Sequence, residues 1–259
     1  PLPHCLSSLQ KAASAKWGMT AQKVLDTAQS LYEKKLTTYP RTDCRYLPDE
    51  QFQDAARILT SLAGVSGLKA VTAKADTALR GPVWDTAKVT AHHAIIPTGE
   101  TPPDSLKPEE RDMYLMIAVQ YVLQFYPPML YEAQKIMVSI SDTLWEARGR
   151  LILEPGWTYV LAEEDEDAKK KEADQSLPPV SAETPVNCTD VNIIKKKTTP
   201  PSRFSEGTLI EAMANVHRFV SDAGAKSVLK ENEGLGTEAT RASVLETLKE
   251  RRFISPSGK

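Results

Sequence analysis

A short polar stretch, KLTTYPRTDCRYLP at residues 35–48, carries side chains that could do chemistry. Tyr39 offers a phenol, which needs help to act as a nucleophile at neutral pH because its pKa is ordinarily about 10. Arg41 would share a side with Tyr39 in an extended segment, and its planar guanidinium could hold a phosphate. Asp43 and Arg45 continue the alternation. From spacing alone, this is either a polar surface turn or a nucleophile beside its own phosphate-binding group.

Cys44 is a competing nucleophile in the same stretch. The neighbouring Arg41 and Arg45 could lower its pKa, but no triad-like partner is nearby in the sequence. Cys5, Cys44 and Cys188 are single cysteines without C-x-x-C spacing. This pattern indicates a reducing compartment and argues against a disulfide framework or a zinc knuckle.

Two further segments could contribute to a site. In AHHAIIPT, His92 and His93 would point to opposite faces of a strand, so they are a poor metal pair, although one of them could face a site. In EGLGTEATRA, a glycine pair precedes Thr237 as a helix N-cap, with Thr240 and Arg241 in the first turns. Free backbone N–H groups there could hold a phosphate, and ordinary capping explains the pattern equally well.

Helical spacing surrounds the tyrosine stretch. Residues 7–18 and 20–35 predict two helices, with Gly18 as the first C-cap and Thr20 as the second N-cap, in a helix-turn-helix-like unit. Pro40 disfavours a helical conformation for Tyr39, which we therefore expect on a loop or at a strand end. Residues 48–64 and 107–128 predict two more helices.

The period changes to two after Tyr131. YEAQKIMVSISD, LWEARGRLIL and GWTYVLA predict strands, and TPVNCTDVNIIKKKTTPP predicts one more. The acidic run at residues 163–174 predicts a solvated, mobile loop. Helical patterns return in SEGTLIEAMANVHRFV, KSVLK and TEATRASVLETLKERR, and FISPSGK follows them. Helices followed by a short hairpin are typical of a winged helix.

Composition sets broad limits. The 259 residues are 41% hydrophobic and 25% charged with net charge −2, as in soluble globular proteins of one to three domains. No apolar run could span a bilayer and no secretory signal is visible, so a cytosolic protein is expected. The near-neutral charge does not decide about a nucleic-acid partner. The chain starts without methionine and stops inside an apparent hairpin, so we expect an internal piece of a longer protein.

Four motifs together resemble the type IA DNA topoisomerases in order and approximate spacing: LTTYPRTDCRYLP, AHHAIIPT, PPSRFSEGTLIEAM and EGLGTEATRASVLETLKERRFI. The proline after the tyrosine is most similar to the bacterial topoisomerase III branch. The resemblance covers essentially the whole chain.

The resemblance implies a role for each matching residue. Tyr39 would be the nucleophile that attacks a DNA phosphodiester, giving a 5′-phosphotyrosyl link and a free 3′-hydroxyl. Arg41 would hold the scissile phosphate and stabilise its developing charge. His92 would position the phosphate or transfer a proton, and Asp43 would orient the turn. The wider set implied to contact DNA is Asp43, Arg45, Thr237, Glu238, Thr240 and Arg241.

The resemblance also implies a mixed α+β multidomain fragment. Residues 1–128 would be the helix-turn-helix-like gate domain that bears the tyrosine, residues 129–200 part of a β-rich arch, and residues 201–259 a winged-helix-like part of the single-strand groove domain. The family's Toprim domain, with its acidic Mg²⁺ site and catalytic lysine, has no counterpart here. Mg²⁺ would therefore serve the full-length enzyme, with no metal ligand expected in this chain.

The expected partners are single-stranded DNA and the missing Toprim and groove portions of the parent chain, in a bacterial cytoplasm and associated with the nucleoid, with no membrane. The implied activity is transient cleavage of one strand, strand passage and religation, for relaxation or decatenation. Because half of the active site would be missing, we expect the chain alone to be unable to cleave DNA.

Two alternatives remain open from the residues. A non-catalytic single-strand-binding module would stack bases on Tyr46 or Trp17. A winged-helix regulator would need a basic recognition helix, yet TEATRASVLETLKERR balances four basic residues against three acidic ones. Retention of Tyr39 and Arg41 together favours the enzyme over the binding module, and a regulator would not need the TTYPRTD turn.

Overall fold

The computed structural model describes residues 1–162, 176–231 and 234–256. The chain forms two compact units. The first, called here the main unit, combines Pro1–Phe125 with Arg203–Lys259, and the second, the hairpin unit, is Tyr126–Ser202. Each unit is described by itself below.

The architecture is mixed α and β. The α-helices in the described residues are α1 (Leu6–Trp17), α2 (Ala21–Glu33), α3 (Ala55–Ala63), α4 (Lys69–Thr72), α5 (Pro108–Val122), α6 (Thr158–Ala162), α7 (Glu206–Ala214), α8 (Ala223–Glu231) and α9 (Arg241–Glu250). Strands β1 (Leu130–Ile140) and β2 (Thr143–Glu154) form a two-stranded sheet, and short 3₁₀ helices cover Asp49–Asp54, Thr86–Lys88, Leu123–Phe125 and Val216–Phe219.

The predicted helix pair at the start of the chain is confirmed. Helix α1 ends at Gly18, whose left-handed φ of 66° suits a residue without a Cβ. The Thr20 side chain then accepts a hydrogen bond from the Lys23 N–H at 3.2 Å and caps α2. The third predicted helix is also present, but its first six residues, Asp49–Asp54, are 3₁₀ rather than α. Pro108 begins α5, as the sequence predicts.

Helix α1 packs closely against α7 in the main unit. A Cβ on Gly207 would lie 2.8 Å from Lys11 Cα and 2.9 Å from Ser14 Cβ, so only glycine allows this approach. The core beside it joins the chain's two ends, with buried side chains from α1, α2, α7 and α9: Leu6, Ala21, Leu25, Ile210, Met213, Ala242 and Leu245.

Two carboxylates cap the first turns of α1 and α2 beside this core. Glu206 accepts a hydrogen bond from the Ala21 N–H at 2.8 Å, at the start of α2. Glu238 accepts one from the Ser7 N–H at 2.6 Å, in the first turn of α1. These N–H groups have no partner within their own helices, and the helix dipole favours negative charge there. Each carboxylate also has a cation of its own: Lys249 binds Glu206, and Arg241 binds Glu238.

The predicted wing does not appear as a strand in the described residues after α9. Residues 251–256 form turns and bends, with Arg252 at a left-handed φ of 59°. The Phe253 N–H bonds back to the Leu248 carbonyl at 2.9 Å, so this segment closes the helix end instead of pairing as β structure. Residues 257–259, the rest of the predicted hairpin, lie outside the described residues.

The hairpin unit confirms the first two predicted strands and corrects the other two. β1 and β2 pair antiparallel across a two-residue turn, Ser141 and Asp142, both with positive φ. GWTYVLA is not a strand. Its last five residues form α6, after Gly156 turns the chain and the Trp157 N–H bonds to the Pro127 carbonyl at 3.0 Å.

The strand predicted in TPVNCTDVNIIKKKTTPP is also wrong, since residues 176–202 contain no strand. Ile193 and Ile194 are 87% and 76% exposed. The segment has β-forming residues, but in the described part of the chain it pairs with no strand edge. The loop predicted at residues 163–174 lies outside the described residues.

Candidate active site

The tyrosine loop, defined here as residues 36–47, lies against the histidine segment, defined as residues 92–98. The Thr38 N–H donates to the Ile96 carbonyl at 2.9 Å, and the Thr98 N–H donates to the Leu36 carbonyl at 3.1 Å. Thr38 Oγ1 also accepts from the Ile96 N–H and donates to the Ala94 carbonyl, both at 2.9 Å. These bonds fix the backbone immediately before Tyr39.

The end of α2 turns the chain back on itself. The Leu36 N–H bonds to the Leu31 carbonyl at 3.0 Å and the Lys35 N–H to the Tyr32 carbonyl at 2.8 Å, which together make a Schellman motif. Lys35 holds the left-handed position of that motif with φ 62°, where glycine is usual. The reversal brings Tyr39 back beside Tyr32, in the last turn of α2.

Tyr39 lies between two rings. Its ring centroid is 4.6 Å from that of His92, with the planes tilted by 49°. It is 5.5 Å from that of Tyr32, in an edge-to-face arrangement at 78°. Tyr39 is half-buried, whereas His92 and Tyr32 are exposed. An open groove adjoins Tyr39 on the side of α2, and Tyr32, Glu33, Lys35 and Thr37 are among its lining residues. We call it the α2 groove.

The two adjacent histidines play different parts. His92 contacts the Tyr39 ring, while His93 is held by two hydrogen bonds. His93 Nδ1 lies 2.9 Å from the Ala94 carbonyl, which can only accept, so Nδ1 carries the hydrogen. Its Nε2 then accepts from Gln51 Nε2, also at 2.9 Å. Burial lowers the pKa of His93, against the effect of the Ala94 carbonyl, and favours this neutral imidazole.

The other charged residues of the loop differ in their surroundings. Arg41 is exposed at a bend, and no side-chain contact orients it in the described part of the chain. Asp43 accepts a hydrogen bond from Thr90 Oγ1 at 2.9 Å. Arg45 donates from Nε to the Pro3 carbonyl and from Nη2 to the Leu2 carbonyl, both at 2.8 Å. Its guanidinium therefore faces the N-terminal backbone here.

The surroundings of Cys44 do not favour the thiol alternative. Cys44 is buried, and its Sγ donates toward the Lys88 carbonyl at 3.4 Å and the Tyr46 carbonyl at 3.6 Å. The Tyr46 ring, proposed as a stacking platform in one alternative, has Lys88 Nζ 4.9 Å from its centroid.

Thr42 is a structural residue that the sequence reading missed. Its hydroxyl donates to the His92 carbonyl at 3.2 Å and accepts from the Cys44 N–H at 3.0 Å. Its carbonyl accepts from the Leu6 N–H at 3.0 Å, in the first turn of α1. Thr42 therefore joins the tyrosine loop to both the histidine segment and α1. Gln51 and Tyr32 were missed as well. Thr42 lies inside the tyrosine motif without a role assigned to it, whereas Tyr32 and Gln51 lie outside the four motifs.

Residues 236–241, called here the Gly-Thr-Glu segment, contact the first turn of α1, where Glu238 accepts a hydrogen bond from the Ser7 N–H. Glu238 and Arg241 are buried and bound to each other at 2.8 Å. Burial raises the pKa of Glu238, against the opposing effects of Ser7 and Arg241. Thr237 and Thr240 are exposed, with their hydroxyl oxygens 3.2 Å apart. In this structure Glu238 and Arg241 hold the fold together, and the two threonines remain accessible.

The described residues contain neither a metal-binding cluster nor a membrane-spanning helix. Across 1–162, 176–231 and 234–256, no group of three or more His, Cys, Asp and Glu side chains is arranged to hold a metal ion. No helix in those ranges is long and apolar enough to cross a membrane.

Comparison with known proteins assigns the family. The family model described as DNA topoisomerase matches residues 1–259. DNA topoisomerase 3 of Vibrio cholerae is 41% identical across the whole chain, and that of Bacillus subtilis is 34% identical. The chain spans 40% and 36% of those two relatives.

The fold is shared with a solved structure. A full-length topoisomerase I from Thermotoga maritima superposes with a TM-score of 0.67 over 99% of the chain and 39% of its own length, at 23% identity. The match of one family model from residue 1 to residue 259 leads to a single assignment: the chain belongs to the DNA topoisomerase family.

Proposed function

We propose that this chain is the tyrosine-bearing part of a type IA topoisomerase and that Tyr39 is its nucleophile. The observation that carries the proposal is the placement of the Tyr39 ring between His92 and Tyr32, beside an open groove. The chain reversal at Lys35 and the two ring contacts hold the Tyr39 ring beside the groove. The remaining length of the relatives, about three-fifths, would supply the rest of the enzyme.

The proposed reaction is a transesterification. Tyr39 Oη attacks the phosphorus, the bond from phosphorus to the 3′ oxygen breaks, and the 5′ phosphate stays on Tyr39. The phenol loses its proton and the departing 3′ oxygen gains one, so charge and atoms balance. Religation is the reverse attack by the 3′-hydroxyl. Between the two steps a strand passes, which relaxes or decatenates DNA without ATP.

The neighbouring residues have proposed parts in this step. His92, whose ring packs against that of Tyr39, would bind the phosphate or accept the phenolic proton. Arg41 is exposed and can turn its two-pronged guanidinium to a phosphate. Asp43, bound to Thr90, would hold the loop in shape. Of the wider DNA-contact set, Thr237 and Thr240 are accessible, while Arg45, Glu238 and Arg241 would first have to leave their present partners.

Within residues 1–162, 176–231 and 234–256, no cluster of side chains suited to a metal ion is present. We propose that the ligands of Mg²⁺ lie in the Toprim portion of the longer protein, and we assign no step here to the ion. The same proposal keeps residues 1–128 as gate domain, 129–200 as part of the arch and 201–259 as part of the groove domain. It places the enzyme in the bacterial cytoplasm, on nucleoid DNA, acting on single-stranded segments.

The test is a covalent-adduct assay. An end-labelled single-stranded oligonucleotide is incubated with Mg²⁺ and the chain, alone or with a separately made Toprim-containing portion of a relative, and then denatured. We expect an adduct only in the mixture, and none with Tyr39→Phe. Tyr131→Phe is the matched control, because Tyr131 is an exposed tyrosine of the hairpin unit.

Two results would contradict the proposal. An adduct formed by the chain alone would show that it does not need the second portion. Portions that co-elute and bind the oligonucleotide but form no adduct would remove Tyr39 as the nucleophile and favour the single-strand-binding alternative.

A further inference from the structure

The α2 groove contains three unusual features at once. Three of its lining residues, next to Tyr39, are an exposed aromatic ring, an exposed lysine in a backbone conformation that favours glycine, and a residue whose buried hydroxyl has no hydrogen-bond partner in the described part of the chain. The residues are Tyr32, Lys35 and Thr37. None of the three belongs to the set that the sequence motifs assign to catalysis or DNA contact.

We propose that the α2 groove is a nucleotide subsite. It takes the nucleotide of a DNA single strand that adjoins the phosphodiester facing Tyr39, with Tyr32 stacking on the base and Lys35 contacting the phosphate. The subsite rests on the proposed function, because it is Tyr39 that places DNA at this end of the groove.

Tyr32 is suited to stacking. It is 40% exposed, although one side of it meets the Tyr39 ring. The Schellman motif fixes the last turn of α2, on which Tyr32 stands, so the ring is held before DNA arrives. Stacking of a base on an aromatic side chain is tolerant of sequence, which suits an enzyme acting on many sites.

Lys35 is suited to a phosphate. Within the described part of the chain it forms no ion pair, whereas its neighbour Lys34 is bound to Glu110. A side chain at φ 62° is strained where glycine would not be. The strain at Lys35 motivates the proposal that its charge is used.

Thr37 is also among the lining residues of the groove. It is 2% exposed, and its hydroxyl finds no hydrogen-bond partner among the described residues. A buried hydroxyl left in this state is unfavourable. Glu33 opposes phosphate binding, because it lines the same groove and its negative charge repels a phosphate. Its carboxylate accepts a hydrogen bond from Gln29 Nε2 at 3.0 Å.

The test measures binding rather than cleavage. Fluorescence anisotropy of a labelled oligo(dT) of about eight nucleotides is recorded with the chain over a range of salt concentrations. Tyr32→Ala is expected to weaken binding by roughly 5- to 150-fold, the range for loss of one stacked base, and Tyr32→Phe by about 2-fold or less. Tyr131→Ala, an exposed tyrosine of the hairpin unit, is the control and is expected to bind like the parent.

The charged residues give effects of opposite sign. Lys35→Gly is expected to weaken binding and to lower the salt slope by about 0.7, the value for one phosphate contact on a single strand. The same change should raise thermal stability, so the weaker binding cannot come from unfolding. Glu33→Gln is expected to tighten binding, which a merely structural role for the groove would not produce.

The outcomes separate the two proposals. Parental binding by folded Tyr32→Ala and Lys35→Gly overturns the subsite, whether or not Tyr39 forms an adduct. Absence of any binding by the parent chain at low salt also overturns it. Weaker binding by both variants supports the subsite even if the adduct assay fails, and in that case only the catalytic role of Tyr39 is lost.

Discussion

Replacing Glu238 by alanine should be among the most destabilising single changes in the main unit. The carboxylate accepts the Ser7 N–H at 2.6 Å and the Arg241 Nη1–H at 2.8 Å. The side chains of Arg241 and Glu238 are only 3% and 10% exposed, so solvent cannot replace the lost partner. A hydrogen bond to a charged group contributes about 1.5–3 kcal/mol. The buried Arg241 guanidinium also loses the carboxylate that it binds, which brings the expected loss in unfolding free energy for Glu238→Ala to about 3–5 kcal/mol.

A double-mutant cycle isolates the pair. Arg241→Met removes the cation and keeps most of the apolar stem. The double variant Glu238→Ala/Arg241→Met then buries no unpaired charge at this position. Its loss in unfolding free energy should therefore be smaller than the sum of the two single-variant losses, by at least about 1 kcal/mol. The assay is urea unfolding followed by far-ultraviolet circular dichroism, to which the main unit contributes all the described α-helices except α6.

The control is an exposed ion pair between α1 and α7, which also lie in the main unit. Lys11 of α1 binds Glu211 of α7 at 2.7 Å, with the two side chains 47% and 44% exposed. Glu211→Ala should cost less than about 1 kcal/mol, because water and salt screen such a pair. A loss for Glu238→Ala no larger than that of Glu211→Ala, or two single losses that simply add, would refute the reasoning from burial.

Three further outcomes can be checked by thermal or urea unfolding. Lys35→Gly should stabilise the chain by roughly 0.5–1 kcal/mol, since glycine adopts the left-handed conformation without strain. Gly207→Ala should cost about 1–3 kcal/mol because its Cβ would lie 2.8 Å from a backbone atom of α1, whereas Gly224→Ala, with its nearest atom at 3.4 Å, should not destabilise. Burial, aided by Arg45, lowers the pKa of His4 to about 4, below its ordinary 6.5. The stability linked to His4 should be present above pH 6.5 and fall as the pH drops toward 4, and His4→Gln should remove that part of the dependence, with His217→Gln as control.

The helices could be predicted because their ends are marked locally. Gly18, Thr20 and Pro108 each stand where a cap or a first helical residue belongs, and the structure uses them so. The hairpin of β1 and β2 follows from alternation in the same way. The failed strands show the limit of local signals. A short apolar run such as GWTYVLA does not distinguish helix from strand, and a strand forms only where an edge is available to pair with it.

The site was predictable only in part, for a related reason. Tyr39 and His92 came from motifs, and the structure brings their rings together. Tyr32 joins them only because the chain reverses at Lys35. The left-handed conformation there is usually marked by a glycine, and this sequence has a lysine instead. The part played by Thr42 depends on contacts with two segments distant in the sequence, so no local pattern could reveal it.

The first turn of α1 is where the tyrosine loop and the Gly-Thr-Glu segment are joined. The Leu6 N–H binds the Thr42 carbonyl, and the next N–H, of Ser7, binds the Glu238 carboxylate. Helix N-termini offer such free donors, and substitutions other than proline leave them in place. The bond from Leu6 to Thr42 joins two backbone atoms, so no side-chain substitution at Thr42 removes its acceptor. The acceptor of the Ser7 N–H is the Glu238 side chain, which a substitution does remove. Glu238→Ala should therefore loosen the Gly-Thr-Glu segment while the Tyr39–His92 contact persists.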